Sequence, residues 1–293
     1  MLERAREFVP AAALGDDPLG LVHEAHPSDR ELVAHLAAPL AYGSVALIRR
    51  AIREVLAVLG PRPTDAVRAI RPGDFHAAAP AFVYRMTRAA DVDAYLNALR
   101  VLLQRHGTLE AAFLAGYDPA HRDVVPALVR YVAELRAAAP ADSRGLRYLT
   151  ADPATGSATK RWHLMLRWLV RPDDGADLHL WTAIRPSQLV LPLDRHVASL
   201  VHSLGLSERR TVDYRMAREA TDQLLTLDPA DPLRFDMPLC HLGISRDCEH
   251  RPLEHTCGPC ALRRACRWGR AVHSSSRPRS SSSSPDIGSF TDG

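Results

Sequence analysis

The chain has almost no lysine: of its 37 lysines and arginines, 36 are arginine and a single one, Lys160, is lysine. A sequence that fills its cationic positions with arginine has kept an amine at one place. A guanidinium stays protonated, whereas a desolvated amine loses its proton and becomes a nucleophile. Aromatic residues are also scarce, at 6%. No apolar run approaches the roughly 20 residues that a membrane-spanning helix needs. The N-terminus, MLERAREFVP, is charged where a secretory signal requires its apolar stretch. These two absences predict a cytoplasmic protein. Nor is there a large excess of one charge: a formal net charge of +3 does not mark a globally basic binder of polyanions, so any such surface must be local. Cysteine is sparse as well. Only five are present, and four of them fall between positions 248 and 266. That is too few and too clustered for a disulfide scaffold, and the grouping points to a metal site.

What is present suits an ordinary folded chain. With 293 residues, 46% of them hydrophobic and 24% charged, one large domain or two small ones can bury a substantial core. Residues 1–27 carry Pro10, Gly15, Pro18 and Gly20 without periodicity and read as an extended lead-in. Ser28-Asp29-Arg30-Glu31 has the form of a capping box. From there apolar residues recur at helical spacing as far as Leu59, with a break at Ala41-Tyr42-Gly43 and an end at Gly60-Pro61. Residues 61–80 read as a loop holding a short helix near Thr64 to Ile70. Further helices are expected from Asp91 or Asp93 to Gly107, over 109–114 and over 122–138, followed by a loop from Pro140 to Thr159. A helix beginning at Lys160 is stopped by Pro172, one opened by Asp194 is closed by Gly205, and two more cover Tyr214–Leu225 and Leu233–Leu242. Only Gln188–Leu193 hints at a strand. The expected fold is all-α with about ten helices. A helical domain over 28–245 is followed by a cysteine loop over 246–270 and a disordered, serine-rich tail over 271–293.

The chemistry gathers around Lys160. Gly156-Ser157 forms a small-residue turn just before its helix, and such a turn presents backbone N–H groups suited to a phosphate. Asp194 lies 34 positions on, in Leu191-Pro192-Leu193-Asp194-Arg195-His196-Val197, as the N-cap of the next helix. An amine beside a carboxylate suits attack on an acetal-like carbon, as in cleavage of a glycosidic bond. His196 reads as a buried hydrogen-bonding residue. Cys248-x8-Cys257-x2-Cys260-x5-Cys266 supplies four soft thiolates, a donor set for zinc or for an iron–sulfur cluster. Arg263, Arg264, Arg267 and Arg270 make that loop locally basic.

Gly156-Ser157-Ala158-Thr159-Lys160, Leu193-Asp194-Arg195-His196-Val197 and the C-x2-C-x5-C ending of the cysteine loop together resemble the helix-hairpin-helix DNA glycosylases, endonuclease III and its relatives. The stretch from Lys160 to Asp194 is closer to archaeal 8-oxoguanine glycosylases. It is closer still to a bacterial family of unassigned function grouped with them, a likeness covering most of residues 15–245. The resemblance implies a two-lobed helical fold and a bifunctional DNA glycosylase with AP lyase activity. In it Lys160 attacks C1′ of an extruded damaged nucleotide, with an oxidised purine such as 8-oxoguanine as the expected lesion, and Asp194 assists. It implies a 4Fe-4S iron–sulfur cluster on Cys248, Cys257, Cys260 and Cys266, with zinc as the alternative. Phosphate contacts would come from Gly156, Ser157, Arg161, Arg263, Arg264 and Arg267, and the base pocket would include Asp236 and Tyr42. The partner would be double-stranded DNA bearing a damaged base, met by a monomer. Two features depart from the relatives: the glycine-rich hairpin is reduced to Gly156-Ser157, and Cys240 stands where a tryptophan contacts the flipped base. A non-catalytic iron–sulfur protein that binds DNA structures on the same fold is the other reading.

Overall fold

The computed structural model describes residue 15 and residues 17–244, 248–260 and 262–275. Among them are fifteen α-helices and one two-stranded hairpin, so the fold is all-α. In chain order the elements are α1 (Pro18–Glu24), α2 (Arg30–Leu40), α3 (Val45–Leu59), α4 (Pro63–Ala69), α5 (Asp74–Ala78), β1 (Val83–Tyr84), β2 (Thr87–Arg88), α6 (Ala89–His106), α7 (Leu109–Leu114), α8 (Val125–Ala138), α9 (Arg144–Leu149), α10 (Lys160–Val170), α11 (Arg195–Ser203), α12 (Tyr214–Leu227), α13 (Asp236–Ile244), α14 (Glu254–Cys257) and α15 (Arg267–Ser275). Among the described residues no helix is long and apolar enough to cross a membrane.

Several elements differ from the sequence expectation for local reasons. Where an extended lead-in was expected, α1 forms. Pro18 sits at its first position, where the missing N–H costs nothing, and the Asp17 carboxylate accepts from Leu19 N at 2.8 Å. Leu19 and Val22 are then fully buried. The capping box at Ser28 does not form either. Instead the Glu31 carboxylate accepts from the backbone N–H groups of Leu109 (3.2 Å) and Glu110 (2.7 Å), capping α7 from another helix, and from Trp181 Nε1 at 2.9 Å. The expected loop over 140–159 contains α9, started by Ser143, whose Oγ accepts from Leu146 N at 3.0 Å. Gln188 ends a 3-10 helix and residues 189–193 are irregular, while the strands lie at 83–84 and 87–88. Helix α15 runs into the stretch expected to be a disordered tail; residues 1–14 of the lead-in and 276–293 of the tail lie outside the described residues.

The helices bury two apolar clusters. The larger gathers side chains from Leu19 to Leu189, together with Leu233, centred on α2, α6, α8 and the inner face of α10. The smaller unites Ala158, Val190, Leu191 and Leu193 with the apolar faces of α11 and α12 and with Phe235 and Leu239. Two of the points where the chain crosses between the clusters lie near Lys160 and Asp194. Ala158 belongs to the smaller and Trp162 to the larger; Leu189 belongs to the larger and Val190 to the smaller. Lys160 lies on the first crossing, and Asp194 closely follows the second.

Buried ion pairs tie the end of α10 to the start of α13. Arg167, 3% exposed, donates to Asp236 at 2.6 Å and to Asp177 at 3.2 Å; Arg171 in turn joins Asp177 to Asp231 and Asp174. Removing one member of such a set strands the others without a counter-charge, a loss of about 3–5 kcal/mol. Replacing Arg167 with leucine is therefore expected to lower unfolding stability by about that much in a denaturant titration. A loss below about 1 kcal/mol would mean that the network does not hold α13 in place.

Candidate active site

Lys160 is the first residue of α10, and its side chain leaves the helix start directly opposite the start of α11. Its Nζ donates to Asp194 Oδ2 at 2.6 Å, with each side chain 30% exposed. The other oxygen of the same carboxylate, Oδ1, accepts from His196 N at 2.9 Å and Val197 N at 3.0 Å. The capping and lysine-pairing roles are thus divided between two atoms of one group. Capping fixes the carboxylate's orientation, because rotating it towards the lysine would expose two unpaired N–H groups.

The residue before the amine is strained. Thr159 has φ 35° and ψ 47°, a left-handed conformation costly for a β-branched residue, and its buried Oγ1 has no hydrogen-bond partner. Gly156, with φ 76°, and the exposed Ser157 form the preceding turn, which is fastened to α12 by Tyr214 N donating to Gly156 O at 2.9 Å.

Burial alone would depress the Lys160 ammonium, but the Asp194 carboxylate outweighs it and holds the amine above its ordinary value, with smaller help from Cys240 and Asp236. Burial likewise acts to raise Asp194, and the Lys160 charge, its hydrogen bond and the capped N–H groups hold it below the usual carboxylate range. The resting pair is ammonium and carboxylate. The stability from Asp194 is present above the ordinary carboxylate range and is lost as pH falls through its lowered value. The stability from Lys160 is complete below the ordinary lysine value and is lost as pH rises through its raised one. Throughout neutral pH the pair is intact.

The other residues singled out from sequence divide clearly. Arg161, expected to face phosphate, is turned inward: its guanidinium donates to Pro39 O and Tyr148 O, and lies 5.1 Å from the Tyr42 ring and 4.5 Å from the Tyr148 ring. It stitches α10 to the end of α2 and to α9, which removes it from the phosphate contacts. Tyr42 belongs to this aromatic group, with its hydroxyl donating to Tyr84 O at 3.1 Å and paired with Thr87 Oγ1 at 2.9 Å. Asp236 is 3% exposed and committed to Arg167, so its carboxylate acts on the amine through the field rather than as a free acceptor. Cys240, one turn along α13, is half-buried; burial, then Asp236, push its thiol up to about 11, and Lys160 partly offsets them. In the sequence only the resemblance, which set Cys240 where a tryptophan contacts the flipped base, pointed to this nearness. His196, expected to be buried, is 69% exposed on the side chain.

Cys248, Cys257, Cys260 and Cys266 all line one cavity of about 490 Å³ between α11, α13 and the loop carrying α14 and α15. Among the described residues no three Cys, His, Asp or Glu side chains converge as a group able to hold a single metal ion. Cys257 and Cys266 are buried, and the Cys257 thiol donates to Arg251 O at 3.6 Å, a bond that a ligating thiolate would give up. Four thiols on one shared cavity fit the donor set of an iron–sulfur cluster. Arg263, Arg264 and Arg270 are exposed on this loop, whereas Arg267 is engaged by Glu208 at 2.8 Å and His202 at 3.0 Å, which weakens it as a phosphate contact.

Residues 17–245 match the family described as Protein of unknown function (DUF2400), and the chain belongs to that family. No curated protein and no solved structure matches it.

Because Lys160 is the sole lysine, reductive methylation with a carbon-13 label gives one lysine signal whose titration reads this site alone. Its midpoint is expected above that of a free lysine side chain, and Asp194→Asn is expected to lower it. An unchanged midpoint in the variant would show that the carboxylate does not control the amine.

Proposed function

We propose that this chain is a DNA base-excision glycosylase with AP lyase activity, built on a two-lobed helix-hairpin-helix glycosylase fold. The observation that carries the reading is the 2.6 Å contact between the only lysine and a carboxylate already fixed by its helix cap. The junction of two apolar clusters, where the pair lies, is a natural place for a cleft that accepts an extruded nucleotide.

In this mechanism Lys160 gives up a proton and its Nζ attacks C1′ of the extruded nucleotide. The N–C1′ bond forms as the glycosidic bond breaks, and the base departs with the bonding electrons and takes up a proton. Asp194 stabilises the positive charge that builds on the sugar and is the nearest acceptor for the ammonium proton. Opening of the sugar ring gives a Schiff base with Lys160. Loss of a C2′ proton then expels the 3′ phosphate by β-elimination. An oxidised purine such as 8-oxoguanine is the proposed lesion, in double-stranded DNA.

The exposed Gly156-Ser157 turn and Arg263 and Arg264 are the proposed phosphate contacts. Cys248, Cys257, Cys260 and Cys266 would hold a 4Fe-4S cluster, which supplies no chemistry to the reaction and staples the loop that carries those arginines. The protein is proposed to act as a monomer in the cytoplasm.

On duplexes carrying a panel of lesions or an abasic site, Lys160→Gln is expected to abolish strand incision. Lys160→Arg should leave DNA affinity within a few-fold, and Asp194→Asn should slow incision by about 10²–10⁴-fold. No incision by the wild type, with salt-dependent binding that Lys160→Gln leaves unchanged, would favour a non-catalytic DNA-structure binder. Protein purified without oxygen is expected to show broad visible absorbance from an iron–sulfur cluster; a colourless protein with bound zinc would overturn the cluster assignment.

A further inference from the structure

The sulfur of Cys248 lies 3.7 Å from the Nδ1 atom of His250, and the backbone N–H of His250 donates to the same sulfur. His250 is half-buried and has φ 52°, a left-handed conformation that histidine adopts more readily than most residues. The loop turns sharply there, and the turn returns both N–H groups of one residue to the cysteine two positions before it.

A contact between a sulfur and a ring nitrogen can run in either direction, and the neighbours decide which. Ser203, the last residue of α11 and 2% exposed, donates its hydroxyl proton to Ser199 O at 2.7 Å. Its oxygen accepts from Trp268 Nε1 at 3.1 Å and lies 3.4 Å from the same Nδ1 of His250. With its one proton committed, Ser203 can only accept from the ring. Nδ1 therefore carries a proton, whether the imidazole is neutral or charged. The contact with Ser203 is stretched for an N–H···O bond, whereas the larger sulfur is still within reach. A ligating thiolate carries no proton, so in the loaded protein the bond can run only from nitrogen to sulfur, and the charge of that acceptor strengthens it. The ring is fixed in this pose from α11 through Ser203, from α15 through Trp268, and by its own turn.

Hydrogen bonds to the sulfurs of an iron–sulfur cluster are among the levers that set its reduction potential. A donor draws charge from the ligating thiolate, which favours the more negative, reduced form. We propose that His250 is such a donor, its Nδ1–H bonding the Cys248 thiolate and raising the reduction potential of the cluster that the four cysteines hold. The inference rests on the proposed cluster and is independent of the lysine chemistry.

The test is a redox titration of the holoprotein, purified without oxygen and followed by its visible absorbance at one fixed pH. That absorbance also reports how much cluster each protein carries. His250→Phe keeps a planar ring and loses the Nδ1 donor. Its reduction equilibrium constant is expected to fall about tenfold, the size of one charge-assisted hydrogen bond, which is a drop of about 59 mV for a one-electron couple. His250→Asn tolerates the left-handed backbone and offers an amide N–H close to the lost donor, so it should recover most of the wild-type midpoint. Equal midpoints in loaded wild type and His250→Phe, even with less cluster in the variant, would overturn the donor role and leave the cluster standing. An asparagine variant displaced as far as the phenylalanine one would overturn it too. A colourless wild-type protein would remove the cluster and the donor role together.

Discussion

One carboxylate joins the two apolar clusters of this protein. Asp194 uses one oxygen to cap α11, which packs in the smaller apolar cluster, and the other to hold the ammonium of Lys160 at the head of α10, which packs in the larger. Surface ion pairs generally contribute little. This one gains its weight from position, because it closes the seam where the chain passes between cores. The strained Thr159 immediately before the amine is consistent with a side chain held in place by its surroundings rather than by local preference.

Neither side of the pair is left to drift. On one side Arg161 binds two backbone carbonyls and lies between two tyrosines, fixing the first turn of α10 against α2 and α9. On the other, Arg167 holds Asp236 and through it the start of α13, which brings Cys240 into the field of the amine. Helix α11 carries the connection further. Asp194 caps its first turn, and Ser203 at its far end accepts from Trp268 Nε1 at 3.1 Å, beside the cavity lined by the four clustered cysteines. Amine, carboxylate and cysteine loop therefore share one short helix as their frame.

Much of this was legible in the sequence where the signal is local or compositional. Lys160 stood out because arginine had taken every other cationic position, and Asp194 because a carboxylate before a helix is a cap wherever the chain later folds. The break at Gly43, the helix over 109–114 and the end at Pro172 also follow from residues close in sequence. What the sequence hid depends on distant partners. Arg161 looks like a cation beside an active amine, and only the packing of Pro39 and Tyr148 around it reveals an inward role. Asp236 and Arg167 are 69 residues apart, and Glu31 caps a helix 78 residues away, so neither pairing leaves a local trace. Helix α1 was obscured by Pro18 and Gly20, which read as breakers until Asp17 and the first-turn position of the proline are seen together.

In the proposed reaction the amine of Lys160 becomes covalently joined to a sugar carbon of DNA. Incubation with a duplex containing an abasic site, followed by borohydride reduction, digestion and mass spectrometry, tests it directly. A stable adduct is expected, whose added sugar mass maps to the peptide containing Lys160. An adduct at the N-terminal amine instead, or none from protein that binds the same duplex, would contradict it.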